Sequence, residues 1–105
     1  MNKLIEQVWN WALSKNIDTA STPTKQMTKT LEECAEVIRE IEDWQTYHDP
    51  DFLMNAKEEY GDVLVTLIIG MKMLNLEPEE CLQVAYDKIS KRTGRIEGGV
   101  FVKDK

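Results

Sequence analysis

Apolar residues recur every three or four positions along four stretches of the chain, which is the spacing of amphipathic helices. Thr22 and Asp49 each stand directly before a proline, a pair typical of a capped helix start. Pro78 gives the same indication for the last stretch. The pattern therefore predicts four helices, over about residues 2–15, 23–44, 51–74 and 78–93.

The apolar stripes predict which helix faces are buried. The second and fourth helices each have one inner stripe, while residues 63–74 are apolar nearly all round and are expected to be fully buried. A monomer of 105 residues has too little mass to cover such a helix, so we expect a second copy of the chain, as a homodimer or homotetramer. The fold class is all-α, a four-helix bundle-like subunit that oligomerises through buried helices. The predicted stripes are Met27, Leu31, Cys34, Ala35, Ile38 and Ile41, and then Leu82, Ala85, Tyr86 and Ile89.

The last residues differ from the rest of the chain. Gly94, Gly98 and Gly99 interrupt the helical pattern, and residues 100–102 alternate as a short extended segment does. The chain has only 5 glycines and 3 prolines, too few turn residues for an all-β fold. We expect a single helical domain over residues 1–105, with a short tail at 94–105.

Net charge and cysteine content narrow the functional classes. With 13 basic and 19 acidic residues the net charge is −6, which excludes non-specific binding to nucleic acid or to an anionic membrane. Cys34 and Cys81 form neither a CxxC motif nor a disulfide framework, which fits a reducing compartment. The N-terminus lacks the continuous apolar stretch of a signal peptide, and residues 63–76 are too short to span a bilayer. We expect a soluble, cytoplasmic protein.

The acidic residues are concentrated in the middle of the chain. Residues 32–62 contain eleven acidic side chains against Arg39 and Lys57, a net charge of −9, which leaves +3 for the remainder. Like charges three or four positions apart on a helix repel, at a cost of about 0.2–0.5 kcal/mol per pair. A segment of this charge is expected to bind something positive.

Two pairs of carboxylates have the spacing of a metal site. Glu33 and Glu36 are three residues apart on the second helix, and Glu59 and Asp62 repeat that spacing on the third. If the two helices pack antiparallel, the pairs converge, as they do in carboxylate metal sites of helical bundles. Oxygen ligands alone favour Mg²⁺ or Mn²⁺. Spacing alone leaves a second alternative open, which is a solvated acidic helix face.

The same residues resemble a known family. Glu32-Glu33-Cys34-Ala35-Glu36, followed after 22 residues by Glu59-Tyr60-Gly61-Asp62, is similar to the EExxE and ExxD motifs of MazG-like nucleotide pyrophosphohydrolases. These enzymes belong to the all-α NTP pyrophosphatase superfamily. The resemblance covers about residues 25–95, and Lys88-Ile-Ser-Lys-Arg92 is similar to the basic pair that follows the ExxD helix. We expect one short unit, without the second tandem domain of longer relatives.

The resemblance implies Mg²⁺-dependent hydrolysis of (deoxy)nucleoside triphosphates to a monophosphate and pyrophosphate, with Mn²⁺ as a substitute metal. Glu32 would be a further ligand or the base for the attacking water, and Lys88 and Arg92 would be the cations that stabilise phosphoryl charge. The alternative for this basic pair is a helix end stabilised by the helix dipole. The implied metal ligands are Glu33, Glu36, Glu59 and Asp62.

Two further residues are candidates for substrate binding. Lys29 is one turn before Glu33 and would either reach phosphate or pair with that carboxylate. Trp9, two residues from Trp11, is our candidate for a ring that stacks on the base, with core or interface packing as the alternative. No glycine-rich phosphate loop is present in the sequence, so a nucleotide would have to be bound through metal.

Three functions stay open at this stage. The first is the general pyrophosphohydrolase, with a nucleoside triphosphate as partner and no nucleic acid or membrane. The second is a related activity of the superfamily, on dUTP, dCTP or phosphoribosyl-ATP. The third is a helical interaction module whose acidic stripe binds a basic partner and catalyses nothing.

Overall fold

The computed structural model describes residues 2–104, which form five helices and then a two-stranded antiparallel sheet. The all-α prediction is confirmed. Three features differ from the prediction: a short helix lies between the first two predicted helices, the second predicted helix continues past residue 44 to Tyr47, and the last helix ends at Ile89 and not near Thr93. The elements are α1 (Asn2–Ser14), α2 (Ile17–Ala20), α3 (Pro23–Tyr47), α4 (Pro50–Met73), α5 (Pro78–Ile89), β1 (Gly94–Glu97) and β2 (Val100–Lys103).

The long helices α3 and α4 pack against each other and begin as the sequence predicts. The Thr22 hydroxyl caps α3 by accepting from the Lys25 backbone N–H at 3.1 Å. The Asp49 carboxylate accepts from the Asp51 N–H at 2.9 Å at the start of α4. Such caps satisfy backbone donors that have no partner within the helix.

A polar stripe lies at the contact between α3 and α4. The Thr30 and Thr66 hydroxyl oxygens are 2.8 Å apart and buried, and Asn55 near the start of α4 donates to Glu40 toward the end of α3. These two contacts, at opposite ends of the pair, show that the helices run antiparallel in a fixed register. The buried residues of the two helices are Thr30, Glu33 and Val37 on α3, and Ala56, Thr66, Ile69 and Lys72 on α4.

The predicted inner stripes are wrong for a single copy of the chain. Met27, Leu31 and Ile38 on α3 are more than half exposed, and so is Leu64 in the stretch of α4 that was expected to be fully buried. The stripe of α5 is exposed as well, at Leu82, Tyr86 and Ile89. The physical reason is that α3 uses its polar stripe to contact α4, and one chain supplies no second layer of helices to cover the apolar stripes.

A buried lysine joins three parts of the chain. The Lys72 ammonium donates to Glu6 of α1 at 2.7 Å and to Glu77, between α4 and α5, at 2.8 Å. The pKa of Lys72 is raised, chiefly by the hydrogen bond to Glu6 and next by the hydrogen bond to Glu77. Glu77 precedes α5 but forms no side-chain cap, since its carboxylate binds Lys72 instead.

No helix within residues 2–104 combines the length and the hydropathy needed to cross a membrane.

Replacing this lysine is expected to loosen the joint between α1, α4 and α5. Lys72→Met removes both ion pairs, but the Glu6 and Glu77 side chains are already half-exposed and regain water. The expected loss of stability is therefore about 1–2 kcal/mol, less than for breaking a fully buried pair. Thermal denaturation measures it. Lys57→Met on the exposed side of α4 is the matched control and should change stability by less than about 0.5 kcal/mol.

The chain ends in a β-hairpin. The extended tail predicted at residues 100–102 is confirmed, and it pairs with Gly94–Glu97, a strand that the sequence did not indicate. Gly98 and Gly99 form the two-residue turn with φ of 56° and 79°, a conformation that favours glycine at both positions. Ile96 faces Phe101 across the strands, and every residue of both strands is exposed.

Candidate metal centre

Three of the four predicted metal ligands converge between α3 and α4. Glu33 of α3 and Glu59 and Asp62 of α4 each offer a carboxylate oxygen, and these oxygens all lie within 4.8 Å of one another. Glu33 is buried because it belongs to the polar stripe of α3, one turn from Thr30 and one from Val37. The Thr30–Thr66 contact fixes the helix register next to the cluster, so the convergence follows directly from the packing of the two helices.

The fourth predicted ligand, Glu36, is exposed and lies beside Glu59. The Glu59 pKa is raised to about 7, chiefly because its protonated carboxyl donates a hydrogen bond to Glu36. Burial of Glu59 comes next, followed by the negative charges of Glu36, Asp62 and Glu33. The four carboxylates therefore act on one another electrostatically, even though no Glu36 oxygen belongs to the group that lies within 4.8 Å.

The cluster has the properties of a site for a hard divalent cation. Glu59 Oε2 is buried and has no hydrogen-bond partner among the described residues. A buried carboxylate oxygen without a donor is costly, and adjacent carboxylates add repulsion. A divalent cation would remove both costs. Carboxylate oxygens at this separation suit Mg²⁺ or Mn²⁺, which prefer oxygen ligands. The residues fit such an ion.

Lys29 pairs with the carboxylates at the edge of the cluster. Its ammonium lies 3.3 Å from Glu33 Oε1 and 3.6 Å from Glu32 Oε2. The hydrogen bond to Glu33 is the main cause that raises the pKa of Lys29. Lys29 was expected either to reach a substrate phosphate or to pair with Glu33, and the structure contains the ion pair with Glu33. Glu32 is exposed next to the cluster, within the same ion-pair group.

The two tryptophans of α1 line different cavities. Trp11 is half exposed and lines a cavity of about 380 Å³ with Gln7, Val8, Val65 and the cluster residue Asp62. Trp9 faces away from that cavity, because residues two apart on a helix point to different sides. The predicted stacking residue Trp9 is thus not brought to the carboxylates, and Trp11 is. The sequence predicts that both rings lie on the first helix, but it does not show which face of that helix packs against α4. Trp9 shares its own cavity with Asp18, Ser21, Thr22, Pro23, Lys72, Met73 and Asn75.

The predicted basic pair is not brought to the carboxylates of the same copy. Lys88 lies in the last turn of α5, whereas Arg92 lies beyond the end of that helix at Ile89 and not within the helix predicted to reach residue 93. Neither forms an ion pair within residues 2–104. Ser90 ends the helix, with its N–H still bonded to the Tyr86 carbonyl at 2.9 Å.

A comparison with models of protein families identifies the family of the chain. Residues 21–96 match the family model of the MazG nucleotide pyrophosphohydrolase domain. The chain belongs to the MazG nucleotide pyrophosphohydrolase family. The matched MazG region contains α3, α4, α5 and all four acidic ligand candidates, and it confirms the resemblance found in the sequence. No curated protein and no solved structure matches the chain significantly.

Membership of the MazG family sets the general activity. It supports nucleotide pyrophosphohydrolase activity and a nucleotide substrate. Divalent-metal dependence is general in this family, and the carboxylate cluster of Glu33, Glu59 and Asp62 agrees with it.

Proposed function

We propose that this protein hydrolyses nucleoside triphosphates or their deoxy forms to a monophosphate and pyrophosphate, with Mg²⁺ as cofactor and Mn²⁺ as a substitute. One observation carries the proposal: the carboxylates of Glu33, Glu59 and Asp62 converge in a chain of the MazG family, and Glu59 Oε2 is buried without a hydrogen-bond partner among the described residues. We further propose that the protein is a single helical domain that acts in the cytoplasm.

Each residue of the cluster has a proposed role. Glu33, Glu59 and Asp62 would hold the metal ion, with Glu36 beside Glu59 as the fourth ligand. Glu32 would be a further ligand or would accept a proton from the attacking water at its exposed carboxylate. Lys29 would exchange Glu33 for a substrate phosphate when the metal neutralises that carboxylate. When bound, Mg²⁺ would draw charge from phosphate oxygens and lower the pKa of water.

The function is tested by pyrophosphate release from a panel of NTPs and dNTPs, with and without Mg²⁺. The panel includes dUTP, dCTP and phosphoribosyl-ATP, because those related activities use the same metal chemistry. Metal-dependent release with a monophosphate as the second product supports the proposal and ranks the substrates. If the folded protein releases nothing and Mg²⁺ does not raise its melting temperature, the proposal is wrong and the acidic interaction module takes its place.

Trp11 is the proposed platform for the base, in place of Trp9. Trp11→Ala is expected to raise KM by about 10-fold or more with a smaller change in kcat, since stacking one base on an aromatic ring contributes about 1–3 kcal/mol. Steady-state kinetics on the best substrate measures the effect. Trp9→Ala is the matched control, with an unchanged KM expected, and a larger rise in KM for Trp9→Ala would contradict this assignment.

We also propose that the protein acts as a homodimer or homotetramer. Its accessible surface is 8115 Å², whereas a compact monomer of 12.2 kDa exposes about 6,100 Å². Its radius of gyration is 16.5 Å, against about 13 Å for a compact domain of this length. The exposed stripe of α3 at Met27, Leu31 and Ile38 supports a helical partner.

A further inference from the structure

A buried pair of hydroxyl groups lies next to the carboxylate cluster and has no part in the proposed chemistry. The hydroxyl oxygens of Thr30 on α3 and Thr66 on α4 are 2.8 Å apart. The two residues are 3% and 8% exposed, so water does not compete for the contact. Burying a hydroxyl group is less favourable than burying an apolar group of the same shape, which indicates that the pair has a role other than stability.

Each hydroxyl also has a hydrogen-bond acceptor on its own helix. Thr30 Oγ1 lies 3.0 Å from the Gln26 carbonyl oxygen, and Thr66 Oγ1 lies 2.9 Å from the Val63 carbonyl oxygen. A hydroxyl has a single hydrogen, so one threonine donates to the other, which in turn donates to its own backbone carbonyl. Removing either hydroxyl therefore leaves no buried donor without an acceptor, and we expect the loss of stability to be small.

The hydroxyl pair defines which turns of α3 and α4 face each other. Because the helices are antiparallel, each further turn of α3 faces the preceding turn of α4. Glu33 lies one turn beyond Thr30, and Asp62 lies one turn before Thr66, and both carboxylates belong to the cluster. Glu59 lies one turn further back on α4 and completes the group. The three carboxylates therefore converge in the register that the two threonines define.

Two side-chain hydrogen bonds enclose the cluster along the helix pair, and the hydroxyl pair is the stronger constraint. On the far side of the cluster Asn55 Nδ2 donates to Glu40 Oε2 at 3.4 Å, which is a long and exposed contact. A displacement of one turn along a helix is about 5.4 Å, more than the 4.8 Å within which the cluster oxygens lie. Apolar contacts have no preferred direction, whereas a hydrogen bond has a narrow range of distance and angle.

We propose that Thr30 and Thr66 are positioning residues whose hydroxyl pair sets the metal affinity of the carboxylate cluster by fixing the register of α3 and α4. The inference rests on the proposed function, because it takes the cluster as the metal centre. Neither threonine is a ligand in that centre. Buried polar groups at helix contacts are known to fix register, and a metal site requires its ligands to be held within about 0.5 Å of the productive geometry.

Two double variants test the proposal, because metal affinity and stability should change in opposite ways. Thr30→Val with Thr66→Val removes both hydroxyls and keeps the side-chain shape, so the melting temperature should stay within about 4 °C of wild type. The Kd of Mn²⁺ should rise by about 10-fold or more, the effect typical of losing a group that orients metal ligands.

Thr30→Ser with Thr66→Ser is the reciprocal variant, which keeps both hydroxyls and removes two buried methyl groups. Its melting temperature should fall by about 8 °C or more, whereas its Kd for Mn²⁺ should stay within about 3-fold of wild type. Titration of the metal-free proteins with Mn²⁺, with the free ion followed by electron paramagnetic resonance, measures each Kd. Competition with Mg²⁺ then gives the affinity for the proposed cofactor.

Thr28→Val is the matched control on α3. Thr28 Oγ1 lies 3.2 Å from the Thr24 carbonyl oxygen, and the residue is exposed. The substitution makes the same chemical change outside the contact with α4. We expect neither the Kd of Mn²⁺ nor the melting temperature to change measurably.

The outcomes separate this inference from the proposed function. If the wild type binds neither Mn²⁺ nor Mg²⁺, the proposed function is wrong and the positioning role fails with it. If the wild type binds metal and the valine variant binds it equally well, the positioning role is wrong while the metal centre stands. If the affinities of the valine and serine variants fall in proportion to their melting temperatures, the hydroxyl pair has a structural role only, which also overturns the inference.

Discussion

Asp62→Asn is expected to lower kcat/KM for nucleotide hydrolysis by at least about 100-fold, the size of effect that follows loss of a group stabilising transition-state charge. Asp62 offers one of the three oxygens within 4.8 Å, and an amide binds a hard divalent cation far more weakly than a carboxylate does. Glu36→Gln is expected to act in the same direction, because Glu36 lies beside Glu59. Steady-state kinetics over a range of Mg²⁺ concentrations measures both variants.

The matched control is Glu58→Gln, one residue from Glu59 on the same helix but exposed and outside the cluster. It removes the same charge, so a general electrostatic effect would appear in it too. We expect its kcat/KM to stay within about 2-fold of wild type, since surface substitutions change little. Wild-type turnover by Asp62→Asn would show that the metal site is not at this cluster.

The carboxylate site was largely predictable because it depends on local spacing. Glu33 with Glu36, and Glu59 with Asp62, are three apart within helices whose starts at Thr22 and Asp49 have clear local indications. Once two such helices pack antiparallel, the convergence follows from helix geometry. The prediction required only the existence of the helices and their direction.

The helix faces were less predictable because they depend on the partner of each helix. Met27 and Leu31 follow the apolar period, yet Thr30 and Glu33 face α4. A hydrophobic stripe shows that a face is covered, and it does not show whether the cover comes from the same chain. Which of Trp9 and Trp11 lies near the carboxylates depends in the same way on the α1–α4 contact, which is a tertiary one.

Some features gave no sequence indication at all. The Thr30–Thr66 hydroxyl contact joins residues 36 positions apart. Threonine has a low helix propensity, so nothing in its local sequence indicates that it lies at a helix–helix contact. Lys72 interrupts an apolar stretch of the sequence, and in the structure it is a buried cation that binds Glu6 and Glu77. Both depend on long-range partners that periodicity does not contain.

In the absence of metal, the protein is expected to become less stable as the pH rises from about 4.5 to about 7. The Glu59 pKa is raised from 4.5 to about 7 in the folded protein, so within this range the folded state binds a proton that the unfolded state has released. The stabilising contribution is complete below the unfolded pKa and is lost as the pH rises through the folded one. Thermal melts in a chelator near pH 5 and near pH 8 measure the change, and Glu59→Gln should reduce it while Glu58→Gln should not.

Mg²⁺ is expected to reverse this loss, because the ion binds the ionised cluster and competes with the proton on Glu59. At about 100 times its Kd, a ligand of the folded state adds about 2.7 kcal/mol, roughly 10 °C in melting temperature for a chain of this size. The shift should therefore be larger near pH 8 than near pH 5, and nearly absent in Glu59→Gln. Since Glu59→Gln also removes a repelled carboxylate, its metal-free melting temperature near pH 8 should exceed that of the wild type. An equal Mg²⁺ shift in wild type and Glu59→Gln would mean that the ion binds elsewhere, and the unpartnered Glu59 oxygen would then need another explanation.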